Sequence, residues 1–299
     1  MNISIALATY NGSKHIKEQL DSISNQTLMP VEIIICDDAS EDNTVDIIKS
    51  HKIFNLIKLF INEEKLGLVK NFKKAVKNCD SNNYIAFCDQ DDIWDSNKLL
   101  INYQELKKFE NLNLPVLVYS DSTLIDGSND ILYNSFMNTM QIDKYEHNQY
   151  TVLFGSLMLG CTIMINTNMR QHFLDMPNSN SYNHDAWLSL VGFYIGKCIY
   201  INHKLVLYRK HEQNLTISNF IKLPRYARIY RVIKNIFQNK FYLHNELVIA
   251  NDFLIKYQTT LSYEKIKILK NFIKLEKVNY FFKKAYFEYV FFRFWIKRF

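Results

Sequence analysis

Apolar runs of strand length alternate with amphipathic stretches through the first 120 residues. Ile3-Ser4-Ile5-Ala6-Leu7-Ala8 predicts a first strand, followed by the polar turn Thr9-Tyr10-Asn11-Gly12. Ile16, Leu20 and Ile23 then recur at helical spacing, with Ser13 placed to cap that helix. Val31 to Cys36 predicts a second strand, which empties into Asp37-Asp38-Ala39-Ser40; Val45, Ile47 and Ile48 mark a short helix after it. Ile57 to Ile61 predicts a third strand, and Gly67 leads into a helix carrying Leu68, Phe72 and Val76. The fourth strand, Tyr84 to Cys88, runs directly into Asp89-Gln90-Asp91-Asp92. Continuous apolar runs closed by turn residues are the mark of strands buried on both faces. Their alternation with helices implies βαβ crossovers and a parallel sheet.

Beyond this half the pattern loosens. Ser96 is placed to cap a helix with Leu99, Leu100, Tyr103, Leu106 and Phe109, and Val116 to Tyr119 predicts a strand ending in Ser120-Asp121. Residues 122–150 are polar and show no clear period. Gly155 to Ile165 is apolar, His184-Asp185-Ala186-Trp187 opens a helix, and Ile199–Ile201 and Val206–Tyr208 predict two further strands. From about residue 220 the chain is helical in pattern, basic and aromatic. Ile268, Phe272, Leu275, Phe282, Tyr286 and Tyr289 fall on one helical face, with Lys267, Lys270, Lys274, Lys277 and Lys284 opposite. The expected organisation is an α/β region over 1–219, in halves 1–120 and 121–219, followed by a helical region over 220–299.

Charge sharpens that division. The net +6 of the 299 residues is the sum of −6 over residues 1–219 and +12 over residues 220–299. A basic amphipathic aromatic tail is the composition of a segment that meets an anionic membrane surface, or of a helical layer packed on the rest. The acidic first region and the absence of a recognition motif exclude nucleic acid as the expected partner. Five scattered cysteines without CxxC spacing fit reduced thiols rather than a disulfide or zinc framework. No signal peptide or membrane span is expected, so the expected location is cytoplasmic, with peripheral attachment at the inner face of the membrane through the tail.

The chemistry concentrates at strand ends. In a parallel sheet the second and fourth strands end on the same edge as the first, so Asp37-Asp38 and Asp89-Gln90-Asp91-Asp92 share the crevice where such sheets bind ligands. Several carboxylates this close repel one another, and a hard divalent cation removes that cost by taking carboxylate and phosphate oxygens. A solvated acidic turn or a helix cap is the alternative use of the same residues.

Thr9-Tyr10-Asn11-Gly12, Asp37-Asp38-Ala39-Ser40 and Asp89-Gln90-Asp91-Asp92, in that order and spacing, resemble the nucleotide-sugar half of a family-2 glycosyltransferase with the GT-A fold. Asn62, Gly67 and Asn71 resemble the Asn-Gly-Asn series of that family, and His184-Asp185 its second-half acidic motif. Tyr208-Arg209-Lys210-His211 with Asn214 resembles a motif of rhamnosyltransferase-like members. Ala39 stands where the family more often carries Gly. The resemblance implies a mixed sheet flanked by helices. It also implies an inverting transfer of a sugar, with rhamnose as a candidate, from a nucleoside-diphosphate donor to a glycan or lipid-linked acceptor in cell-surface polysaccharide synthesis.

Site roles follow from it. Asp89, Asp91 and His211 are expected to hold Mn²⁺ or Mg²⁺, and Thr9, Tyr10, Asn11, Asp37, Asp38, Asp89 and Asp91 the nucleotide. Asp185 is the expected general base, with Asp121 as the reserve. Asp92, Trp94, His184 and Trp187 are acceptor-side candidates, and Arg209 and Lys210 are candidate phosphate contacts. A non-catalytic nucleotide-sugar-binding protein would need neither Asp185 nor His211. A nucleotidyltransferase would carry a Gly-rich basic phosphate loop after the first strand, which Thr9-Tyr10-Asn11-Gly12 is not.

Overall fold

The computed structural model describes residues 2–210 and 243–294. The predicted strands form with little change: β1 is Ile3–Thr9, β2 Glu32–Asp37, β3 Ile57–Ile61 and β4 Tyr84–Cys88. Every residue of β1 and β2 is buried, as the unbroken apolar runs require. Between them lie the helices α1 (Ile16–Ser24), α2 (Thr44–Ser50) and α3 (Leu68–Asn78), with Ile16, Leu20, Ile23, Ile48, Phe72 and Val76 turned inward and Leu68 exposed at the start of α3. Ser13 does not cap α1. His15 occupies that position without a side-chain bond, and the Ser13 amide instead donates to Asp42 Oδ2 at 3.1 Å.

The second half completes the sheet. Ile93–Trp94 is a two-residue strand, β5, and Lys98–Lys107 is helix α4. The strand expected over 116–119 continues as β6 through Val116–Ile125, all ten residues buried. Ser122 and Thr123 look polar in sequence, yet they pair with the last strand rather than facing water. A short hairpin strand β7 (Ile131–Tyr133), helix α5 (Phe136–Thr139) and strand β8 (Met164–Ile165) follow, then helices α6 (Thr167–Leu174) and α7 (His184–Tyr194). The two strands expected near residue 200 are one, β9 (Lys197–Arg209), whose register against β6 shifts at Asp121.

The sheet order is β3-β2-β1-β4-β8-β6-β9-β5, with β7 on β6. β1 to β4 pair in parallel, β6 and β9 pair in parallel, and β8 bridges the halves antiparallel to both. This is the GT-A-type mixed sheet flanked by helices. The crossovers set the ends of β1, β2 and β4 side by side.

The basic region supplies α8 (His244–Tyr257), α9 (Tyr263–Ile273) and α10 (Tyr280–Arg293). The single stripe expected across them is broken at the 3₁₀ turn Lys274–Lys277, and α10 starts anew with the Asn279 side chain accepting from Phe282 N. Phe272 and Leu275 are therefore buried, whereas Phe282 and Tyr289 point outward. α8 packs on α7: Phe253 meets Trp187 and Tyr194 edge-on, the Tyr182 hydroxyl donates to Asp252 Oδ2 at 2.8 Å, and Lys265 Nζ donates to Tyr194 O at 2.6 Å. Among the described residues, no helix is long and apolar enough to cross a membrane.

Candidate active site

The ends of β1, β2 and β4 open into a cavity of about 400 Å³. Thr9, Tyr10, Asp38, Asp89, Gln90 and Asp91 line one side, and Asn183, His184 and Asp185 from the start of α7 line the other. Residues nearly a hundred positions apart thus meet because β8 and β6 carry the chain back across the sheet.

The strand ends are tied to one another by side chains. Tyr10 N donates to Gln90 Oε1 at 2.8 Å, and Gln90 Nε2 returns a bond to Tyr10 O at 3.0 Å. This amide clamp requires the glycine beside it, since a β-carbon at Gly12 would lie 2.2 Å from Gln90 Oε1. Asp37 is fully buried and does not line the cavity; its carboxylate accepts from Thr9 Oγ1, Ser40 N and Ser40 Oγ. Asp38 does line it, and three donors, Asn62 Nδ2, Leu66 N and Gly67 N, hold its carboxylate at 2.7–2.8 Å. The Asn62-Gly67-Asn71 series is the scaffold of this carboxylate, because Asn62 also donates to Asn71 Oδ1 and Asn71 to Cys36 O. Asn11, at φ 46°, lies over the same turn with its side chain accepting from Glu41 N. Ala39 sits at φ 61°, in the left-handed region that glycine occupies without strain.

The acidic motif splits by direction. Asp89 and Asp91 face the cavity, and Asp92 faces the core with no exposed surface. Asp92 Oδ1 accepts from Arg209 N at 3.1 Å, and the Arg209 guanidinium reaches Asp91 O, Asp126 O, Asn129 Oδ1 and Glu18 Oε2. Arg209 is thus a buried brace of the carboxylate loop, and it does not reach the cavity as a phosphate contact. Lys210 does not line the cavity either; its amide donates to Ile125 O. Below the loop, Lys98 is wholly buried with Nζ 4.0 Å from the Trp94 ring centroid, and burial pulls its pKa down to about 8.

Burial, then the charges of Asp91 and Asp185, push the Asp89 carboxyl up to about 7. A group so raised by neighbouring anions is one whose charged form a cation would restore, and the carboxylate oxygens of Asp89 and Asp91 suit a hard divalent ion. Asp89, Asp92 and Cys161 also bring ligand atoms within 4.8 Å of one another. Burial raises the pKa values of the Asp92 carboxyl and the Cys161 thiol, and neither residue lines the cavity that Asp89 and Asp91 face. His211 lies outside the described residues.

Asp185 stands in the first turn of α7, half-buried, and burial raises its pKa against the opposing pull of the Ala186 amide and the Ser156 hydroxyl. A raised carboxylate in a cleft is a stronger base than one in water. Asp121, the reserve base, is spent elsewhere: Ser122 N, Ser135 Oγ and Met137 N all donate to its buried carboxylate.

Burial corrects the acceptor-side expectation for Asp92, Trp94 and Trp187, which are at most 4% exposed and line none of this cavity. Trp187 is core, its indole donating to His172 O at 2.9 Å beneath α8. His184 touches the cavity by one edge and otherwise packs between Phe72 and Phe87, at ring-centroid distances of 4.6 and 5.0 Å. Gly160 allows this, since a β-carbon there would meet His184 Nε2 at 2.5 Å.

Sequence reasoning misses Lys65 and Asn183 in the wall, and it places Gln90 and Tyr208 in motifs without giving them a role. Gln90, between two singled-out carboxylates, carried the signal. Lys65, with Nζ 3.5 Å from the Tyr10 ring centroid, had none.

A mixed sheet whose parallel half ends in paired carboxylates, facing a third carboxylate across one cleft, defines a GT-A-type sugar transferase. Comparison with known proteins agrees. Residues 4–167 match the family model "Glycosyl transferase family 2". The chain is 32% identical to the dTDP-rhamnosyl transferase RfbG of Shigella flexneri over 258 residues, 82% of this chain and 83% of that protein. It is 27% identical to the UDP-Glc:alpha-D-GlcNAc-diphosphoundecaprenol beta-1,3-glucosyltransferase WfgD of Escherichia coli, over 83% of this chain and 93% of that one. In fold it is similar to S. aureus TarS 1-349, solved in complex with UDP-GlcNAc, at a TM-score of 0.57 and 16% identity, covering 91% of this chain and 79% of that one. The chain belongs to glycosyl transferase family 2. It is a nucleotide-sugar-dependent glycosyltransferase of polysaccharide synthesis, which removes the binding-protein and nucleotidyltransferase alternatives.

Proposed function

We propose that the chain transfers rhamnose from a dTDP donor to a hydroxyl of a glycan or lipid-linked acceptor, with inversion at the sugar carbon. The observation that carries the mechanism is the convergence of Asp89, Asp91 and Asp185 on one cavity at the nucleotide-binding strand ends. The rhamnose assignment rests on similarity to RfbG. Asp38 and the turn Thr9-Tyr10-Asn11 hold the nucleoside, with Asp37 bracing that turn from beneath. Asp89 and Asp91 would hold Mn²⁺ or Mg²⁺, which would supply Lewis-acid neutralisation of the leaving diphosphate. Asp185 takes the proton of the attacking hydroxyl. As the new oxygen–carbon bond forms, the bond to the diphosphate breaks on the opposite face, and the nucleoside diphosphate leaves with the electron pair. One base and one displacement produce inversion.

The test is paired. With dTDP-rhamnose as donor, Asp91→Asn is expected to lose cation-dependent stabilisation by dTDP together with turnover. Asp185→Asn is expected to keep dTDP binding and to lose transfer by roughly 10²–10⁴, the size of general-base catalysis. Parallel collapse of dTDP affinity in Asp185→Asn would move the base elsewhere, and cation-dependent turnover surviving in Asp91→Asn would remove the metal assignment.

A specific exposure also favours peripheral attachment to an anionic membrane at its inner face. On α10 the rings of Phe281, Phe282, Tyr289 and Phe292 are 58–85% exposed beside Lys284 and Arg293. The terminal rings Trp295 and Phe299 of the same reading lie outside the described residues. Each base near such a surface contributes on the order of 1 kcal/mol, screened by salt. Full-length protein should co-sediment with phosphatidylglycerol vesicles at low salt and not with phosphatidylcholine alone. Equal behaviour with both leaves α10 a protein contact.

A further inference from the structure

Asp185 borders two cavities. Besides the larger one, it lines a second of about 190 Å³ on the other side of the start of α7, and Asn183 is shared with it. The far wall of this second cavity is not part of the sheet domain. It is the first two turns of α8, which contribute Asn245, Glu246 and Ile249.

The lining divides by chemistry. Val152, Leu153 and Ile249 are apolar, while Ser156, Asn245, Glu246 and Asp185 are polar. Gly155, at φ 129°, lies beside Glu246; a β-carbon there would stand 3.9 Å from Glu246 Oε1, at ordinary contact distance. Glu246 is half-buried and its pKa is raised, chiefly by burial, so its oxygens are drawn out of water into the cavity wall. A lining that mixes aliphatic side chains with carboxylates and amides matches a sugar ring, which carries C–H groups on one face and hydroxyls around its edge. It does not match a bare acyl chain, which offers no donor to either carboxylate. The volume holds one ring and not a chain of them.

We propose that the second cavity receives the terminal sugar of the acceptor, with Glu246 accepting a hydrogen bond from a ring hydroxyl so that a neighbouring hydroxyl meets Asp185. This rests on the reading of Asp185 as base and extends it: the basic C-terminal region completes the acceptor site. A positively charged surface region would thereby present a carboxylate inward. Substrate hydroxyls offered to two carboxylates from opposite walls are oriented before the proton leaves, which is where positioning contributes to rate.

The test separates the two cavities. Methyl glycosides of common hexoses and N-acetylhexosamines are titrated into full-length wild type, Glu246→Gln and Glu246→Ala without donor, with binding read by saturation-transfer NMR. dTDP binding is measured in parallel. At least one glycoside should bind wild type, and Glu246→Ala should weaken it by about tenfold or more, the size of a hydrogen bond to a charged group. Glu246→Gln keeps an accepting oxygen and should weaken it less. Ile249→Phe fills the cavity and should block the same glycoside independently. No glycoside bound by wild type, or equal affinity in Glu246→Ala and Ile249→Phe, overturns the proposal. Failure of wild type to bind dTDP would instead strike the reading of the larger cavity, leaving the glycoside titration to stand on its own.

Discussion

The two walls of the active cleft are built by different physics. The strand-end wall is held by polar bonds that cross between strands: Gln90 to Tyr10, Asp37 to Thr9 and Ser40, Asp38 to the backbone of Leu66 and Gly67. The α7 wall is held by packed rings, with Trp187, Phe253 and Tyr257 meeting edge-on and tilted between α7 and α8 and His184 wedged between Phe72 and Phe87. Directed bonds fix atoms to within a narrow geometry and tolerate little change. Apolar packing fixes a helix as a body and tolerates substitutions that keep volume. The first wall suits a nucleotide that presents the same atoms every time.

That contrast is open to attack at four points. The largest effect is expected at Trp187. Trp187→Ala should destabilise the protein by about 3–5 kcal/mol, the usual range for removing a buried aromatic, as read from urea unfolding. A sugar platform would behave otherwise, losing acceptor affinity at unchanged stability.

His184 comes next. Burial holds its pKa at about 4, against 6.5 for the free side chain. The folded state therefore refuses a proton that the unfolded chain accepts, so stability is full above pH 6.5 and is lost as pH falls toward 4. The difference amounts to about 3 kcal/mol at the acid end. Unfolding curves for wild type and His184→Leu at pH 7 and pH 4 should diverge by that amount. Parallel loss in both proteins would mean that the imidazole is solvated.

On the bonded wall, Gln90→Leu keeps size and removes both bonds of the clamp. Stability should fall by only about 1 kcal/mol, while dTDP affinity should drop about tenfold because Tyr10 is released. Calorimetric titration with dTDP checks this; unchanged affinity would mean the strand ends need no tie. The smallest effect is at Ala39. Ala39→Gly relieves a left-handed residue but loosens the unfolded chain, for a net gain of about 1 kcal/mol or less in thermal unfolding. Destabilisation would show that the turn is not strained.

Much of the donor side could be read from local pattern. Apolar runs that end in Asp37-Asp38 and Asp89-Gln90-Asp91-Asp92 had to be strands of one parallel sheet, and a parallel sheet aligns its strand ends. Residues 122–150 could not be read, since β6 owes its polar second half to pairing with β9, a partner distant in the chain. The tail misled in a similar way: a helical period continued across 274–279 although the backbone did not, so Phe282 was assigned to a face it does not share with Phe272.

By itself the sequence determined the order of strands and helices, the acidic strand ends, and the separation of an acidic domain from a basic tail, because each depends on residues within one element of one another. Only the tertiary structure decided which carboxylates face the cleft. Asp91 and Asp92 are neighbours, yet Arg209, 117 positions away, takes Asp92 into the core. Asp121 and Asp185 are alike in sequence, yet Ser135 and Met137 consume the first. Glu246 carried no motif and gained a place beside Asp185 only when α8 packed on α7. A carboxylate's chemistry is set by the donors and charges within a few ångströms of it, and in a folded chain those come from elsewhere in the sequence.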